Sequence, residues 1–435
     1  MILIRIIQVP LLISFLGIDE FGRWLVLSSL PTWLALANLG FGSVASNEMS
    51  MAVGKGDVLR AKEAYSTTIA LLTTITGLGL PLIAIITPFI PWDDILKTTA
   101  NRHIELSWAA GWLGASVLIS FYGETFGGRI RAARKAHITM MLGAIRPWLD
   151  IAVLGTCLVF TTRFDVMAFA LFTTTVISLV ATWFISFRVL PVVFFSFDAV
   201  RSRNFGSLFK KGLAFQAFPF GNALLFQGNL MIVQLILGPA SVALFGTART
   251  LVRTVNQAME LVNQVIWPEL SFLIGSSDLI KAARLHRLAV LLSVGLAVSA
   301  CCVLLIGGPT IFRLWTHNEL TLPTNLLFLF LLPIPFNALW FTSSVVLAAS
   351  NQHEGLAGRY TIGSCLSVLL CWILTSHFGI GGAAISTILL DMILVPYVLK
   401  RSLEIVCETR KTFFTNIIPD IQIAIRLLPI SKFVK

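Results

Sequence analysis

The sequence has little charge for its length. Asp, Glu, Lys and Arg make up 12% of the 435 residues, whereas 56% are hydrophobic. Soluble domains contain about 25% charged and about 45–50% apolar residues, so a water-soluble chain of this length could not cover so much apolar surface. The composition excludes a soluble globular protein and indicates a protein whose solvent is lipid.

The sequence also lacks any cysteine arrangement that would hold a metal or a disulfide framework. Its six cysteines form no CxxC pair and no cluster with histidine, and most of them lie in apolar runs. This scatter supports neither a zinc site nor a disulfide-stabilised domain. No polar insertion is long enough for a soluble domain, and we expect neither a metal centre nor a catalytic site.

Long apolar runs are what the sequence does contain. A helix needs about 20 mostly apolar residues to cross a hydrocarbon core of about 30 Å. The predicted fold class is therefore all-α integral membrane, with about 12 transmembrane helices in two six-helix bundles. On this criterion the twelve spanning segments lie at roughly 1–17, 23–45, 65–90, 105–126, 138–161, 166–188, 213–238, 242–266, 287–308, 325–349, 360–378 and 380–400.

The excess of positive charge follows this segment pattern. Of the 32 Lys and Arg residues, most lie in the loops after even-numbered segments and in the C-terminal tail. Because positively charged loops stay in the cytoplasm, this asymmetry predicts that both termini are cytoplasmic. The net charge of +11 is then a topology signal, and we expect no nucleic-acid partner. The opposite side has only Arg23, Lys97, Arg102, Arg163 and Arg313.

The longest connection on the inner side divides the segments into two groups of six. A Leu-Gly pair recurs at the corresponding turn of each group, as Leu16-Gly17 and Leu237-Gly238. Parallel repeats of this kind occur in transporters. The apolar tail contains two prolines, which favour an interfacial segment over a thirteenth span. The predicted regions are a first bundle at 1–188, a linker at 189–212, a second bundle at 213–400 and a cytoplasmic or interfacial tail at 401–435.

Segment 8 has the most polar residues at membrane depth. Its polar residues follow the spacing i, i+4, i+7, i+11, i+15, which keeps them on one face of a helix. Such a face lines a water-filled cavity or forms a polar seam with a neighbouring helix. Alternatively, one of its arginines forms a structural ion pair with a carboxylate. The residues of this face are Arg249, Arg253, Asn256, Glu260 and Gln264.

Other segments add isolated polar residues. Arg146 and Asp150 in segment 5 either neutralise each other at i, i+4, or Arg146 faces a cavity while Asp150 orients it or carries a coupling proton. The segment 7 amides, including Gln227 and Asn229, either bond across helix interfaces or contact sugar hydroxyls. Asp391 is alone in segment 12 and is either a satisfied structural carboxylate or an ion-coupling group.

The arginines at depth favour an anionic cargo. The guanidinium group binds phosphate oxygens bidentately and remains charged when it is desolvated. Amides and aromatic rings nearby suit sugars. A lipid-linked sugar pyrophosphate combines these features, and its lipid tail can remain in the bilayer.

Three stretches resemble bacterial polysaccharide and O-antigen flippases. Trp33–Glu48 (WLALANLGFGSVASNE) resembles the second helix of that family, and Phe226–Asn229 (FQGN) and Ile266–Ser271 (IWPELS) resemble its helices 7 and 8. The family is the polysaccharide transporter branch of the multidrug/oligosaccharidyl-lipid/polysaccharide exporter superfamily. The resemblance covers about Leu11 to Lys400 in topology.

This resemblance implies two bundles around a central cationic cavity and transport by alternating access. The implied cargo is an undecaprenyl-pyrophosphate-linked oligosaccharide, flipped across a bacterial inner membrane during O-antigen or lipopolysaccharide synthesis. Partners are then the lipid-linked oligosaccharide, membrane lipid and polysaccharide assembly proteins; the only cofactor would be a coupling H+ or Na+. The candidate coupling residues are Asp150, Asp391 and Glu260, and the candidate substrate-binding residues are Arg249, Arg253, Arg146, Asn256, Gln227, Asn229 and Asn47.

Two other functions stay open. A multidrug/cation antiporter of the same superfamily should have an acidic cavity for cationic drugs, whereas this chain has more arginine than carboxylate at depth. A membrane-embedded polysaccharide polymerase or ligase should have a large periplasmic loop that carries substrate-binding residues. The longest outer loop, at about Pro309 to Thr324, is too short for that role.

Overall fold

The computed structural model describes residues 2–38, 41–98, 102–200, 217–350, 352 and 354–427. These residues form helices joined by short connections, and they contain no strand. The helices of the first half are α1 Ile2–Leu16, α2 Ile18–Leu27, α3 Leu30–Ala35, α4 Phe41–Gly54, α5 Val58–Ile86, α6 Trp92–Leu96, α7 His103–Ala132, α8 Ala136–Phe160 and α9 Phe164–Val189. Those of the second half are α10 Ala217–Ala223, α11 Asn229–Leu237, α12 Pro239–Gly275, α13 Leu279–Trp315, α14 Thr324–Leu331, α15 Ile334–Ala349, α16 Glu354–Ser386, α17 Ile388–Ile405 and α18 Arg410–Leu427.

The predicted all-helical membrane fold is confirmed. Within the described residues, eight stretches are long and apolar enough to cross a membrane, and the last of them contains predicted segments 11 and 12. Segments 1, 2 and 8 are helical too, but α1 is short, segment 2 is broken, and α12 has too many polar residues. The chain is a multi-pass membrane protein. The eight stretches are Val58–Phe89, His103–Ala132, Ala136–Phe160, Phe164–Val189, Phe218–Leu237, Leu279–Trp315, Thr324–Ala349 and Glu354–Ile405.

Segment 2 is not the single helix that the apolar run predicts. The chain leaves the helix after Leu27, restarts at Leu30 with Pro31 in the first turn, and begins α4 at Phe41. Proline has no N–H to donate and clashes with the preceding turn, so it is accommodated at a helix start rather than in a helix interior. A hydropathy window detects the apolar run but not this interruption.

The turn between segments 11 and 12 depends on two glycines. Gly379 adopts a φ of 59° inside α16, a conformation that side chains disfavour. A Cβ on Gly382 would lie 2.1 Å from the carbonyl oxygen of Leu374. The chain therefore reverses its course within α16, and α17 begins only at Ile388.

The chain divides into two compact units, residues 1–243 and 244–435. Within the first, α7 packs against α4, α5 and α9. Gly128 allows α7 to approach α4 closely, because a Cβ there would lie 2.9 Å from side-chain atoms of Met49 and Ser46. Within the second, α15 packs against α13 and α17. The division at 189–212 stays a prediction, because the boundary between the compact units falls inside α12.

Arg129 is buried in the first unit, although it lies beyond the predicted end of segment 4 at residue 126. It occupies the last turn of α7, with 1% of its surface exposed. Its Nη2 donates to the carbonyl oxygen of Leu190 at 2.9 Å, and its guanidinium lies 4.9 Å from the Tyr65 ring centroid. Leu190 caps the C-terminus of α9, where the helix dipole favours a cation. Arg129 therefore joins the predicted inner ends of α5, α7 and α9.

We predict that Gly382→Ala destabilises the protein, because the added methyl group collides with backbone that cannot rotate away. Overpacking of this kind costs on the order of 1–3 kcal/mol. Gly295→Ala in α13 is the matched control, since a Cβ there meets nothing within 4 Å. Thermal unfolding of the purified variants in detergent measures the effect. Equal unfolding temperatures for the two variants would contradict the proposed turn geometry.

Candidate functional site

The polar face of α12 extends along the helix in the second unit. Arg249 is half-buried, with its guanidinium 5.3 Å from the Phe245 ring centroid, and Arg253 is exposed one turn later. Asn256 is half-buried, and its Oδ1 atom is enclosed without a hydrogen-bond partner among the described residues. Beyond it, Glu260 and Gln264 are exposed. The side chains buried on other faces of the helix are Leu251, Val252, Val255 and Met259.

This exposure pattern distinguishes the polar face from a lipid-facing surface. Placing a charged side chain at the bilayer centre costs about 2.5–3.5 kcal/mol on insertion scales. Glu260 joins neither Arg249 nor Arg253 in an ion pair, because it lies seven and eleven residues beyond them, about 10 and 16 Å along the helix axis. The ion pair with Glu260 that the sequence left open is thus not formed.

Arg146 and Asp150 do not bond to each other, although their i, i+4 spacing permits a pair. The Nη2 atom of Arg146 donates to the Thr175 hydroxyl at 2.9 Å. The Asp150 carboxylate accepts a hydrogen bond from the neighbouring Thr174 hydroxyl at 2.6 Å. Both contacts link α8 to α9, so each charged group is matched with a neutral hydroxyl.

The segment 7 amides flank an irregular turn. Between α10 and α11, Leu224–Gly228 forms a π-helical turn, a feature frequent at functional sites. Gln227 lies in this turn and donates from Nε2 to the Thr32 hydroxyl of α3 at 3.2 Å. Asn229 follows it, fully buried, and neither polar atom of its side chain has a partner among the described residues. Asn47 lies in α4, but its side chain is outside the described residues.

Asp391 is the most enclosed of the three proposed coupling residues. It lies in α17 with 4% of its surface exposed. Its Oδ1 atom accepts hydrogen bonds from Trp340 Nε1 at 2.6 Å and from Asn337 Nδ2 at 3.3 Å, both in α15. This geometry matches a satisfied structural carboxylate. By contrast, Asp150 is half-buried and Glu260 is exposed.

An ionic network on the predicted outer side was not predicted from the sequence. Glu20 contacts Arg23 at 2.5 Å and Arg102 at 2.6 Å, and Arg102 also contacts Glu105 at 2.7 Å. The hydrogen bonds from Arg102 to Glu105 and then to Glu20 raise the pKa of Arg102 above its usual value. Glu105 also accepts a hydrogen bond from the backbone N–H of Phe164 at 2.7 Å. The network therefore links the N-terminal ends of α2, α7 and α9. The sequence signal was the i, i+3 spacing of Glu20 with Arg23 and of Arg102 with Glu105.

Fold and composition together define a multi-pass, all-helical membrane protein of two units. Solved structures of transporters have a similar fold. An inward-facing multidrug resistance MATE family transporter of the MOP superfamily is 16% identical, with a TM-score of 0.71 over 93% of this chain and 98% of that chain. The lipid II flippase MurJ, in an inward closed conformation, is 14% identical, with a TM-score of 0.68 over 98% of this chain and 94% of that chain.

The comparisons with known sequences give no further match. No protein-family model matches the chain, and no curated protein matches it. The structural likeness establishes the fold that this chain shares with MATE transporters and MurJ. The predicted membership of the O-antigen branch stays a prediction.

We predict that a double-mutant cycle couples Arg146 to Thr175 but not to Asp150. Arg146→Met and Thr175→Val remove the same hydrogen bond, so their combined effect should fall short of the sum by about 0.5–3 kcal/mol. Arg146→Met and Asp150→Asn should be additive, because no contact joins these side chains. Unfolding of the purified variants measures both cycles. Strong coupling between Arg146 and Asp150 would instead indicate the ion pair.

Proposed function

We propose that this protein is a flippase that moves a lipid-linked oligosaccharide across a bacterial inner membrane by alternating access. The cargo is of the undecaprenyl-pyrophosphate class, and no covalent chemistry is involved. The observation that carries the proposal is the polar face of α12. It presents Arg249 and Arg253 one turn apart on a helix that buries Leu251, Val252, Val255 and Met259 on other sides.

The arginines on this face favour a phosphate-containing cargo over a cation. Two residues at i, i+4 have Cα atoms about 6 Å apart along the axis, so their guanidinium groups can reach the two phosphates of one pyrophosphate. Arg146, in the other unit, donates to a neutral hydroxyl rather than to a carboxylate. Its positive charge is therefore not cancelled by that contact, which supports its place among the cargo-binding residues.

The amide side chains supply hydrogen-bonding groups for the hydroxyls of a sugar. The unpartnered Oδ1 of Asn256 is available to accept a hydrogen bond from a hydroxyl group. It lies three residues beyond Arg253, on the same face of α12. We assign the same role to Gln227, Asn229 and Asn47. The likeness to MurJ, which is a lipid II flippase, supports a lipid-linked cargo.

The alternative is a multidrug/cation antiporter, which the likeness to a multidrug resistance MATE transporter also supports. Binding of a lipophilic cation requires carboxylates, and the exposed Glu260 is the carboxylate on the α12 face. Deletion of the gene separates the two functions. Loss of surface glycan supports the flippase, whereas drug sensitivity with intact glycan supports the antiporter.

We predict that replacing both α12 arginines with alanine abolishes export of surface polysaccharide. Losing two charge-assisted contacts of about 1.5–3 kcal/mol each should weaken cargo binding by at least about a hundredfold. The assay is surface polysaccharide in a strain that lacks its own flippase, complemented with Arg249→Ala/Arg253→Ala. The matched control is Arg60→Ala/Arg134→Ala, which removes two exposed arginines, one in the first turn of α5 and one in the turn after α7. Normal export by a stably expressed α12 variant would refute the assignment.

Transport is coupled in this proposal to H+ or Na+ through Asp391. Its enclosure and membrane depth support this role over Asp150 and Glu260, which are the other candidates. Enclosure also fits a purely structural role, because Trp340 and Asn337 already satisfy one of its oxygens. The amide substitution separates the two roles.

We predict that Asp391→Asn keeps the fold but removes the ion dependence of transport. The amide oxygen of Asn can still accept the Trp340 hydrogen bond, whereas it cannot release a proton or balance a bound cation. Transport into proteoliposomes is measured across imposed pH and Na+ gradients, together with the unfolding temperature. Asp150→Asn and Glu260→Gln are tested in parallel. Unchanged gradient dependence in Asp391→Asn would leave this carboxylate with only a structural role.

A further inference from the structure

The C-terminal helix α18 is fixed against the second unit by enclosed charges. The Nε atom of Arg287, in α13, lies 2.6 Å from Asp420 Oδ2, and its Nη1 atom bonds to Glu408. Arg284 reaches the other oxygen of Asp420 at 3.3 Å. Less than a tenth of the side-chain surface of Arg287, Glu408 and Asp420 is exposed. Because breaking such a network leaves a buried charge unpaired, it holds α18 in one position.

The contacts also determine which end of α18 lies nearer the bilayer centre. Phe413, in the first turn, is 2% exposed and packs with Val290 and Leu403. Asp420, two turns later, contacts Arg284 and Arg287, which lie closer to the start of α13. Since α13 begins on the predicted cytoplasmic side, the first turn of α18 lies deeper than its middle. On the predicted orientation of the chain, this places the first turn toward the acyl chains and the middle of α18 toward the headgroups.

The surface of this first turn is cationic and apolar. Arg410 and Lys411 are exposed, and Phe414 is 63% exposed on a different side of the helix from Phe413. Two cations in the first turn of a helix oppose the helix dipole, so helix stability does not explain them. An exposed aromatic ring beside them provides an apolar contact next to the charges.

The end of α17 contributes two further exposed cations. Lys400 has 68% of its side-chain surface exposed, and Arg401 lies beside it. Glu404 is their neighbouring carboxylate, at 2.8 Å from Arg401 and 3.9 Å from Lys400. One carboxylate cannot balance both cations and the two on α18. Only four residues separate α17 from α18, so the end of α17 at Ile405 and the start of α18 at Arg410 lie within about 18 Å of each other.

We propose that Lys400, Arg410, Lys411 and Phe414 form a binding site for anionic phospholipid headgroups of the cytoplasmic leaflet. The cations attract the phosphate and its neighbours in the leaflet, and Phe414 inserts at the acyl boundary. The enclosed network around Arg287 holds the first turn of α18 at that depth. The site depends on the predicted orientation of the chain but not on the identity of the cargo.

The test is lipid binding by the purified full-length protein in detergent, titrated with phosphatidylglycerol or phosphatidylcholine. We expect phosphatidylglycerol to bind more tightly, in a salt-dependent way. Lys400→Gln/Arg410→Gln/Lys411→Gln should weaken its binding on the order of a hundredfold, since each cation near an anionic surface contributes roughly fivefold. The control, Lys55→Gln/Arg60→Gln/Lys281→Gln, removes the same charge from other exposed positions and should bind like the wild type.

Further arms distinguish a lipid from a free phosphate. Phe414→Ser should weaken phosphatidylglycerol binding while leaving the cations in place, and it serves as a second variant if the triple substitution fails to fold. Equal binding of the two lipids, equal loss in the control, or competition by inorganic phosphate at the same strength as the lipid would each overturn the proposal.

Discussion

The cost of placing a charge in a medium of low dielectric constant governs most of this structure. Each enclosed charged group is stabilised by a different set of partners. Arg129 donates to the C-terminal carbonyl of a helix and lies against the Tyr65 ring. Arg287 bridges two carboxylates, and Asp391 accepts hydrogen bonds from an indole and an amide. These partners come from different helices, so each charge also fixes the packing of the helices around it. The polar face of α12 differs in exposure, since Arg253 and Glu260 are exposed at predicted membrane depth.

Interrupted helices are the second consequence of a lipid solvent. Backbone groups freed by a break must find partners, so a break is tolerated only where protein or water surrounds it. The break after Leu27 and the π-helical turn at Leu224–Gly228 both lie in the first unit, and Gln227 in that turn bonds to Thr32 just beyond the break. Discontinuous helices of this kind form the substrate and ion sites of many transporters. The FQGN motif, Phe226–Asn229, overlaps the π-helical turn in three of its four residues.

Much of the fold was predictable because apolar runs and charge asymmetry are properties of single segments. The helical segments, the membrane class and the polar face of α12 follow from hydropathy and the period of the helix. Contacts between segments did not follow. Nothing in the sequence pairs Arg102 with Glu20, 82 residues away, or places Arg129 beneath the end of α9. The spacing of Arg146 and Asp150 permitted an ion pair, but hydroxyls on α9 lie in better positions. Pro31 is a sequence signal for the break in segment 2, but a hydropathy window averages over it.

Asp391 and the polar side chains of α12 differ in their surroundings. Asp391 is enclosed and has two donors directed at a single oxygen, so removing it would leave those donors without an acceptor. Arg253 and Gln264 are exposed, and the enclosed Oδ1 of Asn256 has no partner among the described residues. In the proposed function, the cargo supplies the polar partner along this face, and an anion is the ligand that two arginines would bind most strongly.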